Sequence, residues 1–447
     1  MDTTLRPDPK VWSDSRHSSR RWVRTRGGSR IGTVIALIVV LFAALAATAA
    51  PAHAAKDGVI EGTMLDPDGQ PIAGVTITVS NAAGFEGFDT TNKQGKWAVP
   101  IPGSGQYVVT IDTLTLPEGV TLTDPERTSL TVNLLSTSKT VAFPTGEADT
   151  TTESTLDRFL QLATDGLVFG LIIALAGVGL SMIFGTTGLT NFAHGEIVTL
   201  GAISTFVFNN LLGLPFVLAV AMGVLVCGAF GALNDWGLWK PLRKRGVSLV
   251  AMLVVSIGFG ILLRYIYLFF FGGDTEQYAS FSGQPGIAIG PVDITPKVIV
   301  GSSVAIVVLI LTMLWLGYTK TGKASRAVSD NPALAAASGI NVERVINQVW
   351  IIGAGLAGLA GALYSMSVGV NWLEGFQLLL LVFAGVVLGG LGTALGAIVG
   401  SLVVGVLIQV STLVIPTEMK NVGALLIMII ILLLRPQGLL GRRERVG

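Results

Sequence analysis

Leu167-Val168-Phe169-Gly170-Leu171-Ile172-Ile173-Ala174-Leu175-Ala176-Gly177-Val178-Gly179-Leu180-Ser181-Met182-Ile183-Phe184 contains no charged residue. Roughly 20 such residues, rising about 1.5 Å each as a helix, match a hydrocarbon core about 30 Å thick. Comparable runs follow, and spans are read at 164–185, 193–210, 215–235, 248–271, 297–318, 346–366, 376–391, 394–414 and 421–435. The composition agrees, with 51% hydrophobic and only 13% charged residues in a chain of 447. Soluble domains carry roughly 25% charge. The predicted fold class is a polytopic α-helical membrane protein with about 8–9 spans in its core and a small all-β domain before them. Several runs are too short to cross as one straight helix. Broken or re-entrant helices are expected, with their backbone buried in protein or lining a cavity.

Basic residues fix an expected orientation. Lys240, Arg243, Lys244 and Arg245 follow the third span, Lys320, Lys323, Arg326 and Arg344 the fifth, and Arg435, Arg442, Arg443 and Arg445 the last. The alternate loops carry Asp274, Glu276, Asp293 and Glu374. The positive-inside rule then predicts a multi-pass plasma-membrane protein with residue 160 outside and the C-terminus, including a basic tail at 441–447, in the cytoplasm.

Residues 1–55 join an arginine-rich start to an apolar stretch from Ile31 to Ala50, followed by Pro51-Ala52-His53-Ala54-Ala55. This is the layout of a signal peptide, or of an uncleaved anchor, and it sends residues 56–158 outside. Val75-Thr76-Ile77-Thr78-Val79 alternates as a strand does, and Tyr107–Ile111 and Leu130–Val132 read likewise. Asp66-Pro67-Asp68-Gly69 and Asn92-Lys93-Gln94-Gly95 are turn sequences. The segment 56–143 is therefore expected to be an antiparallel sandwich, with a polar linker at 144–158. Gly62–Val75, Gly95-Lys96-Trp97 and Gly105-Gln106-Tyr107 resemble the carboxypeptidase-regulatory-like β-sandwich family. That resemblance implies a fold and no activity.

No catalytic constellation is present. One cysteine, Cys227, and three scattered histidines, His17, His53 and His194, offer neither a disulfide nor a metal centre. Gly317-Tyr318-Thr319-Lys320-Thr321-Gly322-Lys323-Ala324 approaches a phosphate-binding loop. It has Ala324 where the motif needs a hydroxyl, and it follows an apolar helix rather than a strand. No cofactor, metal or nucleic-acid partner is expected, and any ATP chemistry is assigned to another subunit.

Three segments carry the functional expectation. In the first, Asn331 can cap a helix that opens on Pro332, continues through Ala333, Leu334, Ala335, Ala336, Ala337 and Ser338, and closes on Gly339. So short a helix is marginal alone and needs a partner surface. In the second, Gly188-Leu189-Thr190-Asn191-Phe192-Ala193-His194-Gly195-Glu196 places polar groups between two spans, either as a satisfied interfacial turn or as a lining of the route. In the third, Ala354, Gly358 and Ala362, then Leu388–Thr393 with Gly396 and Gly400, recur at the spacing that lets membrane helices approach closely.

Gly188–Glu196, Gly339-Ile340-Asn341, Gly355–Gly361, Gly389–Gly392 and Arg435-Pro436-Gln437-Gly438-Leu439 resemble, in order, the LivH-type permeases of branched-chain amino-acid ABC importers. The likeness spans a transmembrane domain at 159–440. It implies a second permease subunit, ATP-binding cassette subunits, an extracellular substrate-binding protein, and a coupling role for Asn331–Gly339. Urea or short-amide import, and ion-coupled secondary transport, are the competing functions. Asn191, His194, Glu196 and Arg264 are the candidate pathway or gate residues. Arg264, about two turns from the end of the fourth span, either snorkels among Tyr265 and Tyr267 or meets a substrate carboxylate.

Overall fold

Ile77 and Val79 point inward and Thr76, Thr78 and Ser80 lie nearer the surface, so the alternation legible in the sequence becomes strand β2, Thr76–Asn81. The computed structural model describes residues 58–66, 70–82, 84–103, 105–117, 120–122, 128–134, 138–141, 143, 145, 154–273, 275–278 and 286–415, with 422, 425, 426, 429, 433 and 440. The leader 1–55, most of the linker, most of the span read at 421–435, Arg435–Leu439 and the tail 441–447 lie outside them.

Seven strands form two sheets. β1 (Gly58–Thr63), β4 (Lys96–Ile101) and β7 (Ser138–Thr140) make one, in the order β4-β1-β7. β3 (Glu86–Thr90), β2, β5 (Gly105–Ile111) and β6 (Ser129–Leu134) make the other. Their inner faces enclose Ile60, Met64, Val75, Trp97, Val99, Tyr107 and Val109. The sandwich is not wholly antiparallel, because β7 pairs in parallel with β1. At the turn Asn92–Gly95, Asn92 Oδ1 accepts the amides of Gln94 and Lys96 at 2.9 and 3.0 Å. Gly95 takes φ +71°, which a side chain would oppose.

The helical part begins earlier than its apolar run. α1 spans Thr155–Thr187, capped by Ser154 Oγ, so Thr155–Arg158, read as linker, already form its first turn. It is followed by α2 (His194–Phe206), which continues as a π-helical stretch to Leu211, and α3 (Phe216–Asn234), which continues through Asp235–Trp239 into α4 (Lys240–Lys244). Then come α5 (Leu249–Phe271), a hairpin of β8 (Ile287–Ile289) and β9 (Val292–Ile294), and α6 (Pro296–Tyr318). α7 (Lys320–Asp330), α8 (Pro332–Ala337), α9 (Val342–Val368), α10 (Glu374–Gly389) and α11 (Ala394–Ser411) complete it.

Among the described residues six helices are long and apolar enough to cross a membrane, and α10 is a shorter apolar helix. α1 and α9 form the centre, each 72% buried along its apolar window, whereas α5 and α6 are 22% buried and turn most of their surface outward. Glycine sets the central spacings. A Cβ on Gly179 would crowd the Gly353 backbone, one on Gly201 the Gly358 backbone, and one on Gly400 the backbone of Gly385 and Gly389. Lipid gives helices no hydrophobic drive to associate, so close backbone packing of this kind holds them together. The near-miss phosphate loop is a helix-to-helix corner between α6 and α7, where Thr319 Oγ1 caps Gly322 N at 3.0 Å.

Candidate functional site

The run read as a crossing at 193–210 is helical from His194 to Leu211. α1 stops at Gly188, which takes φ +69° and donates its amide to Phe184 O at 2.7 Å. The chain then doubles back, extended, along α5. Gly188 lies beside Leu249, Phe192 N donates to Ser256 Oγ at 3.0 Å, and Ala193 lies beside Gly260. Asn191 Oδ1 accepts the Ala193 amide at 3.1 Å and starts the turn into α2. His194 Nε2 sits 3.0 Å from Ala176 O, eleven residues inside the end of α1. At about 1.5 Å per residue that is about 16 Å along α1. α2 thus opens alongside the middle of α1.

Glu196, in the first turn of α2, is fully buried. Arg264 Nη2 and Nε donate to its Oε1 at 2.7 and 3.0 Å. Tyr267 Oη donates to Glu196 O at 2.8 Å. The guanidinium carbon stands 3.9 Å from the Phe376 ring centroid, a cation–π contact from α10. Arg264 therefore does not snorkel among Tyr265 and Tyr267. It turns inward to a carboxylate, because a guanidinium at membrane depth is costly unless paired. Glu196 and Arg264 are joined directly, whereas Asn191 holds the turn before α2 and His194 faces Ala176 on α1. Among the described residues Asn191 Nδ2, His194 Nδ1 and Glu196 Oε2 are buried without a hydrogen-bond partner.

A fourth buried ionisable group escaped the sequence reading. Glu374, read as a loop acid, opens α10 and is 2% exposed. Ser365 Oγ donates to its Oε2 at 2.8 Å, and its Oε1 has no partner. Next to it, Gly375 packs on the Gly195 backbone and donates its amide to Thr199 Oγ1 at 3.1 Å. The available signal was an acid placed directly before an apolar run.

The capped segment Asn331–Gly339 lies elsewhere, at the end of the bundle that carries the basic loops. Asn331 Oδ1 accepts Leu334 N at 3.0 Å, Pro332 is the first residue of α8, and Gly339 takes φ +86°. Ala335 is buried, while Ala333, Leu334, Ala336, Ala337 and Ser338 are exposed. The same end is braced by Asp235, Arg243 and Glu343. Arg243 Nη1 lies 2.8 Å from Asp235 Oδ1 and Arg243 Nη2 3.2 Å from Glu343 Oε2. Asn347 Nδ2 donates to Asp235 Oδ2 at 3.2 Å.

Residues 162–432 match the family described as branched-chain amino acid transport system / permease component. The chain belongs to that family. All the residues just described, from Asn191 to Glu374, fall inside the matched stretch of this permease. Residues 59–135 separately match the carboxypeptidase regulatory-like domain. The permease is 32% identical over 301 residues to LivH, a high-affinity branched-chain amino acid transport system permease protein of Salmonella typhimurium, covering 64% of this chain and 96% of that protein. It is 32% identical to BraD of Pseudomonas aeruginosa, a protein of the same description, over 64% and 97%. To LivM of Salmonella typhimurium, also a permease protein of such a system, it is 26% identical over 60% and 68%. The permease is a transport component in a multi-pass membrane protein.

Proposed function

We propose that this chain is one permease subunit of an importer that carries branched-chain amino acids inward across the plasma membrane, driven by ATP hydrolysed in partner subunits. A second permease subunit completes the channel and an extracellular binding protein delivers the solute. The basic end faces the cytoplasm. The β-sandwich stands outside as a domain at 56–143, joined by 144–158 to the transmembrane domain at 159–440.

The observation that carries the reading is α8. A two-turn helix, capped at both ends, leaves Leu334 65% exposed among four small residues. Such a helix is marginal in water, and a groove on an ATP-binding subunit would cover it. Asn331–Gly339 then acts as the coupling helix. The extended segment between α1 and α2 supports a route beside it. Extended backbone at membrane depth persists only where protein buries it or a cavity borders it. Thr190 and Phe192 remain partly exposed there, so Asn191, His194, Glu196 and Arg264 border the route or its gate.

The test is Leu334→Asp in the assembled complex reconstituted in proteoliposomes. Loss of co-purifying ATP-binding subunits and of ATP-driven leucine uptake, with unchanged monodispersity of the permease, is the expected result. Uptake and association at the unmodified level would overturn the reading.

A further inference from the structure

Two buried carboxylates, Glu196 and Glu374, lie in the first turns of α2 and α10, which pack together through Gly195 and Gly375. Arg264 is committed to Glu196 through Nε and Nη2. Glu374 forms no ion pair among the described residues, although it is 2% exposed. Its neighbours are uncharged: Ser365 on Oε2 and the Asn371 backbone amide nearby, with Tyr278 and Tyr364 within electrostatic reach. An isolated buried carboxylate is costly unless paired or neutralised. The position at the start of α10 offsets part of that cost, because the helix N-terminus favours an anion. Oε1 is still left without a donor.

The site has a cover. Glu276 exchanges both backbone hydrogen bonds with Val370, at 2.7 and 3.0 Å. Asn371 Nδ2 donates to Thr275 Oγ1 at 3.0 Å, and Asn210 Nδ2 to Gln277 O at 2.9 Å. Tyr278 Oη reaches Ala202 O at 3.3 Å. The strap Thr275–Tyr278 thus lies over the ends of α2, α9 and α10 near Glu374.

We propose that Glu374 receives the α-ammonium group of the transported amino acid, with Oε1 as its acceptor. This rests on the importer reading above and adds the chemistry that the route recognises. A primary ammonium supplies both the missing charge and the missing donor. Glu196 also has one oxygen, Oε2, without a donor, but its charge is already met by Arg264. The site selects amino acids over their deaminated analogues by leaving Glu374 unpaired when the ammonium is absent.

The test uses the complete importer in proteoliposomes with its binding protein, following labelled leucine uptake and ATP hydrolysis together. In Glu374→Gln, uptake per ATP hydrolysed falls about tenfold or more, the scale of one lost charge-assisted hydrogen bond. Stimulation of hydrolysis by the loaded binding protein stays unchanged. Vesicles are also filled with 3-methylbutylamine, which keeps the ammonium, or 4-methyl-2-oxopentanoate, which lacks it. The amine inhibits the unmodified complex from within and spares Glu374→Gln, while the oxo acid inhibits neither. Four results would each overturn the proposal: a variant ratio within twofold of the unmodified one, joint loss of uptake and hydrolysis, equal inhibition by both compounds, or no inhibition by the amine. Uptake by the unmodified complex that rises as acidity rises, with Glu374→Gln insensitive to pH, would show a proton in that place and overturn it too. If the unmodified complex moves no leucine at all, the importer reading itself fails, whatever Glu374→Gln does.

Discussion

Arg264 and Glu196, sixty-eight positions apart, are joined by two hydrogen bonds of 2.7 and 3.0 Å inside the membrane part of the bundle. Arg264 is only 16% exposed and Glu196 fully buried. Removing one partner of such a pair strands the other charge, at about 3–5 kcal/mol, whereas removing both costs less. Arg264→Ala should therefore lower the thermal stability of the detergent-solubilised permease more than the double substitution Glu196→Ala/Arg264→Ala does. Arg264→Lys should fall between, because an ammonium keeps the charge and loses the two-pronged geometry. Equal loss from the single and double variants would show that the pair carries no coupling energy.

Glycine at a helix crossing and glycine on an outward face make opposite predictions. A Cβ at Gly201 meets the carbonyl and Cα of Gly358, which are backbone atoms that cannot turn aside. A Cβ at Gly258, on α5, meets nothing within 4 Å. Gly201→Val should abolish a monodisperse peak in size-exclusion chromatography. Gly258→Ala should be neutral or slightly stabilising, since alanine favours a helix by roughly 1 kcal/mol over glycine. The reverse order would mean that the crossing is looser than the distances indicate.

These contrasts show what the sequence could and could not deliver. Apolar runs name the helices because lipid leaves the backbone few other options, and among the described residues six of the runs became helices long and apolar enough to cross a membrane. The cap at Asn331, the proline at 332 and the left-handed Gly339 were all legible, because capping is local chemistry. The start of α2 beside the middle of α1 was not legible. That placement depends on where Gly188 reverses the chain and on what Ser256 and Ala176 then hold, and those contacts join residues far apart. Glu196 and Arg264 each stood out as charges among apolar residues, but their pairing is a tertiary fact. Glu374 was misread because a loop acid and a buried first-turn acid look alike until Ser365 and Thr199 close over that turn. The parallel β7 was equally invisible, since strand alternation carries no direction.

The brace at the basic end has one buried arm and one exposed arm. Asp235 is fully buried against Arg243, whereas Glu343 is 32% exposed. Salt screens exposed pairs strongly and buried pairs little. Glu343→Gln should lower stability by roughly 0–1 kcal/mol, with the difference vanishing at high salt. Arg243→Ala strands Asp235, so its cost should be several-fold larger and insensitive to salt. Melting curves at low and high sodium chloride check both. A loss for Arg243→Ala that salt erases would place Asp235 in contact with solvent.

The sandwich core is made only of residues between Ile60 and Phe143, and the helical core shares none of them. Damage to one core should therefore leave the other folded. Ile77 is fully buried beneath strands β3 and β5. Ile77→Ala should cost the sandwich about 2–5 kcal/mol, from lost transfer energy and from the cavity left behind. A domain of this size has little stability to spare, so limited proteolysis should cut the 58–145 region of the variant much faster than that of the unmodified chain. The helical part of the same molecule should keep its melting temperature and its solubility in mild detergent. A common shift of both transitions would mean that the two parts unfold as one cooperative unit, which separate cores do not support.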